Sequence, residues 1–311
     1  MTILITGASG FVGGALARRL VEQGDGVRTL GRTRPGIATE FFEGSIDDQQ
    51  VSSKALEGVD CVVHLAGRAH QLRETSVDPL ESFRAANCRL SEELAAQAIE
   101  AGVRRFVFIS SIGVNGAFTQ DGRPFTEASQ PEPHSPYARS KYEAEVALLR
   151  LAERGGMELV IIRPPLVYGD GAPGNFSSLM RWVGKGIPLP FGAVHNKRSL
   201  IAVDNLVDLI IRCIDHPAAA NELFLAGDGD DLSTTELLRG VADSMGRPAR
   251  LISVPVALLR LAASALGKKG MAHSLLDSLQ VDISKARDLL GWEPPVSVKE
   301  GLRRCVRDSS V

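Results

Sequence analysis

A chain of 311 residues, 44% apolar and 23% charged, has the ordinary balance of a globular protein and suits one large α/β unit with a second lobe. A formal net charge of −2 argues against a nucleic-acid surface, which needs a clear basic excess. Cys61, Cys88, Cys213 and Cys305 are scattered with no CxxC pair, so neither a disulfide framework nor a bound metal is expected, and a reducing cytoplasm fits best.

The chain opens with Met1-Thr-Ile-Leu-Ile5, which reads as a strand that starts at once, without the basic start and cleavage pattern of a leader. From there, runs of period two alternate with runs of period 3.6. That alternation implies βαβ units and a Rossmann-like, doubly wound parallel sheet. Strands are expected at residues 3–6, 27–30, 61–65, 106–110 and 159–163. Between them, Val12, Leu16 and Leu20 recur on one helical face before the stop signal Gly24. Phe83, Asn87, Leu90, Leu94 and Ala98 do the same before Gly102.

Around residue 164 the texture changes. Pro164-Pro165, Gly169-Asp-Gly-Ala-Pro-Gly174 and Ile187-Pro-Leu-Pro190 are turn and loop chemistry. Amphipathic helices are expected at 205–214 and 234–245, the second opened by a Ser233-Thr-Thr-Glu236 capping box. A further box, Ser297-Val-Lys-Glu300, starts the last helix. The most apolar run, 254–266, is broken by Pro255 and Arg260 and is too short to span a bilayer. No membrane partner is therefore expected, and the leucine stripe from Leu258 to Leu266 reads as core or as a subunit contact. Residues 1–165 are expected to form the dinucleotide-binding lobe. Residues 166–311 mainly form a smaller substrate-binding lobe, with strands near 199–203 and 222–226 returning to the main sheet.

Two constellations carry chemistry. Thr6-Gly-Ala-Ser-Gly-Phe-Val-Gly13 follows the first strand and opens the first helix. Gly7, Gly10 and Gly13 permit a tight turn, close approach of backbone to a pyrophosphate and close helix–strand packing, while the helix N-terminus offers free amides to the phosphates. The second strand ends Thr29-Leu-Gly-Arg32 with no carboxylate to hold a ribose 2′-hydroxyl. A guanidinium pairs well with a 2′-phosphate, so NADP(H) is the favoured cofactor with Arg32 as its contact, and NAD(H) is the other possibility.

Far downstream, Tyr137 and Lys141 share one helical face in Ser135-Pro-Tyr-Ala-Arg-Ser-Lys-Tyr142. A free phenol, with a pKa of about 10, is a poor base at neutral pH. A neighbouring ammonium is expected to lower that value, so that Tyr137 exchanges a proton with a carbinol or carbonyl while hydride moves to or from the cofactor. Ser110 and Ser111 lie at the carboxyl end of a strand, where open α/β sheets bind ligands, and one of their hydroxyls is expected to bond the reacting oxygen.

With further motifs, these residues resemble the extended short-chain dehydrogenases/reductases of the nucleotide-sugar epimerase/dehydratase group, nearly end to end. The others are His64-Leu-Ala66, Asn87, Arg163-Pro-Pro-Leu-Val-Tyr-Gly169, Arg198-Ser-Leu-Ile-Ala-Val-Asp204 and Ser284-Lys-Ala-Arg-Asp-Leu-Leu-Gly-Trp292. The resemblance implies that Ser111, Tyr137 and Lys141 are catalytic. It implies that Phe11, Val12, Ser45, Ile46, Leu65, Ala66, Gly67, Asn87 and Pro164 join the glycines, Tyr137 and Lys141 around the cofactor. Asn175, Phe176 and Arg198, with Ser111, would meet the substrate, a UDP-sugar, and a homodimer through two helices of the cofactor lobe would be usual.

Three departures stand out. Gly44-Ser45 replaces the group's Gly-Asp, Val114-Asn-Gly116 replaces Val-Tyr-Gly and is expected to alter the sugar pocket, and Ile112-Gly113 replaces the Asp-Glu pair of the 4,6-dehydratases. The last argues against dehydration, because neither residue transfers a proton. The favoured expectation is a UDP-4-keto-hexose(amine) 4-reductase. The alternative is a UDP-glucose or UDP-N-acetylglucosamine 4-epimerase with tightly held NAD+, and the remote one a non-enzymatic cofactor-binding protein.

Overall fold

A computed structural model of the protein describes residues 1–68, 78–120 and 122–307, the side chains of Asn175, Lys269, Met271 and Arg307 excepted. Among the described residues nine strands are formed: β1 (Thr2–Thr6), β2 (Gly26–Gly31), β3 (Glu40–Glu43), β4 (Cys61–His64), β5 (Arg105–Ile109), β6 (Glu158–Arg163), β7 (Leu166–Tyr168), β8 (Leu200–Ala202) and β9 (Leu223–Leu225). Seven of them make one parallel sheet in the order β3-β2-β1-β4-β5-β6-β9. The order reverses direction between β1 and β4, the place where doubly wound sheets open a ligand crevice at the carboxyl ends of their strands. β9 returns to the main sheet as expected, but β8 does not. It pairs in parallel with β7 in a separate two-stranded sheet.

Period-two alternation sorts the strand side chains onto two faces. Ile3, Ile5, Val107, Ile109, Val160 and Ile162 pack with Leu16 and Leu20 of helix α1 (Phe11–Gln23). Leu4, Val62, Phe106, Phe108, Leu159 and Ile161 pack on the other face. There they meet α2 (Gln49–Leu56), α4 (Leu90–Glu100), which follows α3 (Pro79–Arg84), and α5 (Pro136–Gly155). α1 stops where Gly24 takes a left-handed φ of 86°, the stop signal legible in the sequence.

A second apolar cluster gathers Tyr168, Leu200, Ala202 and Leu238 with residues of α6 (Asn175–Gly184) and α8 (Thr234–Ser244). Between these two helices in the chain, α7 (Val203–Asp215) packs on the α1 side of the main sheet. The Ser233 and Glu236 side chains cap α8 reciprocally, as the motif requires. The remaining helices are α9 (Val256–Ala265), α10 (Lys269–Leu276), α11 (Ser284–Leu290) and α12 (Val298–Arg307). α9 departs from expectation: none of its residues is buried, and Leu258, Leu261 and Leu266 are 55%, 68% and 70% exposed. It packs on α10, and its leucine stripe keeps a side that is open to solvent among the described residues.

Candidate active site

β1 runs directly into Gly7, whose φ of +77° suits glycine. A Cβ at Gly7 would stand 2.7 Å from the Ala66 nitrogen, and one at Gly13 would stand 2.2 Å from the Gly7 carbonyl oxygen. The Gly10 amide donates to that same oxygen at 2.9 Å, closing the turn, and no side chain caps α1. The result is a concave, amide-lined cradle with room for a pyrophosphate, so the residues present fit a dinucleotide. Half-buried Phe11 lies against Gly169, where a Cβ would meet its ring at 3.0 Å, and Val12 packs against the core.

At the carboxyl end of β2, Arg32 is exposed and no described residue pairs with it. Arg34 is drawn aside over the Phe41 ring at 4.9 Å. In the next loop Ser45 is half-buried and Ile46 buried, while the nearby carboxylate of Asp48 is used to cap α2.

After β4, Leu65 and Ala66 touch the cradle, and Gly67 leads to a loop held by Asn87. Fully buried Asn87 sits in a π-turn (Ala85–Arg89) between α3 and α4. Its Oδ1 accepts from the Arg68 amide at 2.7 Å, and its Nδ2 donates to the Arg68 carbonyl at 3.1 Å and to Ser140 Oγ at 3.0 Å. A π-turn widens a helix locally and often marks a functional position. Here it clamps the loop after β4 to the helix that carries Tyr137.

Beneath the loop, buried His64 bonds Thr6 Oγ1 through Nδ1 at 2.6 Å and Ser91 Oγ through Nε2 at 2.8 Å. Ser91 donates to the Asn87 carbonyl at 2.7 Å, and the Ala66 amide donates to Thr6 Oγ1 at 3.3 Å. That pattern assigns a neutral ring with its proton on Nε2. Burial, assisted by Lys141, pushes the imidazole down to about 3. His64 is a strut, not a proton carrier.

α5 begins with Ser135 capping the Ala138 amide and Pro136 in its first turn. This start places Tyr137 and Lys141 one turn apart, facing the end of β5. Tyr137 hydrogen-bonds Ser111 and meets the Phe83 ring edge-on at 6.0 Å. Buried Lys141 sits 4.2 Å above the Phe108 ring, and a Cβ on Gly67 would lie 3.8 Å from its Nζ. Ser111, Tyr137 and Lys141 thus stand beside the loop that touches the glycine cradle. The electrostatics correct one expectation. Burial pushes the Tyr137 phenol up to about 12, and the downward pull comes from Ser111 rather than from Lys141. Lys141 is itself pushed down to about 8 by burial, with Glu145 pulling upward.

The two serines after β5 divide their work. Ser111 faces Tyr137, whereas buried Ser110 donates to Glu145. Glu145 also forms a buried pair with Arg163, whose Nε donates to its Oε1 at 2.9 Å. Arg163 Nη1 donates to Asn115 Oδ1 at 2.9 Å. Asn115, expected to alter the sugar pocket, is instead 1% exposed and locked into this network. Buried Pro164 accepts from the Ile112 amide at 2.9 Å, fixing the loop that bears Ser111.

The substrate-side residues separate. The Phe176 side chain is 1% exposed and packs against Tyr168 at 5.6 Å, so it belongs to the second core. Asn175 starts α6, and its side chain lies outside the described residues. The Arg198 guanidinium is mostly withdrawn from solvent and donates to the Asp277 carbonyl at 3.0 Å. Sequence reasoning missed Ser140, Glu145 and the Arg163 pair. The Lys141–Glu145 spacing of four was the available signal, since such residues meet on a helix.

Comparison with known proteins fits this geometry. The model of the NAD dependent epimerase/dehydratase family matches residues 3–227. A UDP-glucose 4-epimerase of Vibrio cholerae is 44% identical over 97% of this chain and 94% of its own. The crystal structure of a UDP-glucose 4-epimerase from Thermotoga maritima with UDP-glucose is 27% identical and superposes with a TM-score of 0.81 over 99% of both chains. A dTDP-glucose 4,6-dehydratase from Streptomyces venezuelae with NAD bound is 27% identical, with a TM-score of 0.79 over 99% of this chain and 96% of that one. With the family's model spanning the whole main sheet, this chain belongs to the NAD dependent epimerase/dehydratase family of extended short-chain dehydrogenases/reductases.

Proposed function

We propose that the protein is a UDP-hexose 4-epimerase. The observation that carries this reading is the convergence of Ser111, Tyr137 and Lys141 at the carboxyl end of β5 beside the glycine cradle. The V. cholerae relative supports the choice of epimerisation over the 4-reductase expected first. When bound, the nicotinamide supplies a hydride acceptor in its oxidised form and a donor in its reduced form. Once its own phenolic proton has been lost to solvent, the Tyr137 phenolate takes the C4 hydroxyl proton, Ser111 steadies the phenol and the sugar oxygen, and Tyr137 returns that proton to the C4 oxygen after the 4-keto sugar has turned over. Lys141 holds a ribose hydroxyl. Gly7, Gly10, Gly13 and the first amides of α1 hold the pyrophosphate, and Leu65, Ala66, Gly67, Asn87 and Pro164 line the dinucleotide. Neither buried Ile112 nor Gly113 carries a group able to eliminate water, which sets the site apart from dehydration.

One observation favours the reductase as a second reading. β2 ends without a carboxylate, and Arg32 stands exposed where a 2′-phosphate would bind. The nucleotide released from the freshly purified protein by denaturation distinguishes the two, together with titrations of NADH and NADPH. Released NAD+ and no preference for NADPH support the epimerase. An empty site that takes NADPH about tenfold more tightly than NADH, a difference of about 1.4 kcal/mol, supports the reductase with Arg32 as its phosphate contact.

A further inference from the structure

Charge is distributed unevenly along this chain. Residues 171–203 and 244–276, 33 residues each, contain no Asp or Glu and nine Lys or Arg between them. The rest of the chain therefore carries 26 basic residues against all 37 acidic ones. The fold brings the two stretches together. Leu189 donates its amide to the Arg250 carbonyl at 2.9 Å, and Ile252 returns one to the Leu189 carbonyl at 2.8 Å. Between them Pro190, Phe191, Leu259, Ala263, Leu266 and Leu275 line an apolar cavity of about 160 Å³. Around it Ile187, Ile252, Leu258, Leu261 and Leu266 are exposed by 43% to 70%. Arg181, Lys185, Arg247, Arg250, Arg260 and Lys268 are exposed on the same two stretches.

Bare leucines amid cations, with no carboxylate from either stretch, form the pattern of a segment that lies in a lipid–water interface. Among the described residues no helix is long and apolar enough to cross a membrane, so the association would be peripheral. We propose that this face, built on α9, α10 and the 187–192 loop, docks the enzyme onto a bilayer rich in anionic phospholipid. Leu258, Leu261 and Leu266 enter the acyl boundary while the surrounding cations meet the headgroup phosphates. Charge complementarity selects this occupant: a second copy would set the basic face against itself. The hairpin is tied to the substrate side of the molecule through Asp277. Its carboxylate holds Arg260 and His273, each at 2.6 Å, and its carbonyl holds Arg198.

Co-sedimentation of the full-length protein with vesicles tests the proposal. Vesicles of phosphatidylglycerol and phosphatidylethanolamine should pellet the protein, and vesicles of phosphatidylcholine alone should not. The pair Leu258→Ser with Leu261→Ser, and separately Lys185→Glu with Lys268→Glu, should each weaken binding about tenfold. Both pairs change exposed side chains and should keep the parent's melting temperature, which shows that any loss is not unfolding. Equal binding to both vesicle types would overturn the proposal, as would binding indifferent to the leucine pair. So would concentration-dependent self-association, seen by sedimentation velocity, that the leucine pair abolishes, since that result assigns the face to a second copy.

Discussion

Tyr137 is held in its protonated form by burial, and Ser111 is the group that draws it toward ionisation. Removing its oxygen leaves the helix, the ring contact with Phe83 and the cradle intact. Tyr137→Phe should therefore lower turnover by about 10²–10⁴-fold while leaving cofactor affinity unchanged, measured by steady-state kinetics and by cofactor titration. His64 makes a separate prediction about stability. Its folded pKa of about 3 lies below the 6.5 of the unfolded chain, so between those values the unfolded state binds the extra proton. The stabilisation is complete above about pH 6.5 and is lost as pH falls toward 3, by up to about 1.4 kcal/mol per pH unit. Urea unfolding at a series of pH values should show this slope, and His64→Gln should flatten it. The grouping of Ser111, Tyr137 and Lys141 was legible in the sequence because their spacing and the motifs around them are local. The sense of the Tyr137 shift was not, because it depends on burial set by residues far away in the chain.

At the scale of elements, the glycine turn and the buried ion pair differ in how they fail. A methyl at Gly13 would have to displace the Gly7 carbonyl from 2.2 Å, whereas one at Gly10 meets the same oxygen at 3.1 Å. Gly13→Ala should cost about 1–3 kcal/mol and most of the cofactor affinity, and Gly10→Ala less, as read by thermal melting and cofactor titration. Arg163→Met leaves the Glu145 carboxylate buried without its partner and should cost about 3–5 kcal/mol in denaturant unfolding. Adding Glu145→Leu should recover part of that loss, because the stranded charge is then gone. Short apolar runs revealed β1, β2, β4, β5 and β6, because the parallel sheet packs helices on both of its faces. β8 was expected as a strand near 199–203, but its three residues do not specify a partner, and it pairs with β7 outside the main sheet. The π-turn at Asn87 was equally silent, since one extra residue in a helical turn leaves the apolar spacing nearly unchanged. Asn115 looked like a pocket residue because it replaces an aromatic, and only the tertiary contact with Arg163 reveals its role.

Across the whole molecule, the parallel sheet gathers three chemically distinct regions at the carboxyl ends of its strands. The glycine cradle follows β1, the clamped loop follows β4, and Ser111 follows β5, with Tyr137 and Lys141 brought alongside by the first turns of α5. That arrangement was foreseeable from the order of motifs, whereas the exposed basic and apolar face on α9 was not. Its leucines have helical spacing, and spacing alone does not tell a covered stripe from a bare one. The proposal that the assembled site takes a proton from the C4 oxygen and a hydride from C4, then returns the proton to that oxygen and the hydride to the opposite face of C4, has one direct test. UDP-glucose deuterated at C4 is incubated with the purified protein without added cofactor, and the products are followed by NMR. The account predicts UDP-galactose that keeps its deuterium at C4. UDP-glucose recovered unchanged, from protein that does reduce a UDP-4-keto-hexose with NADPH, would contradict it.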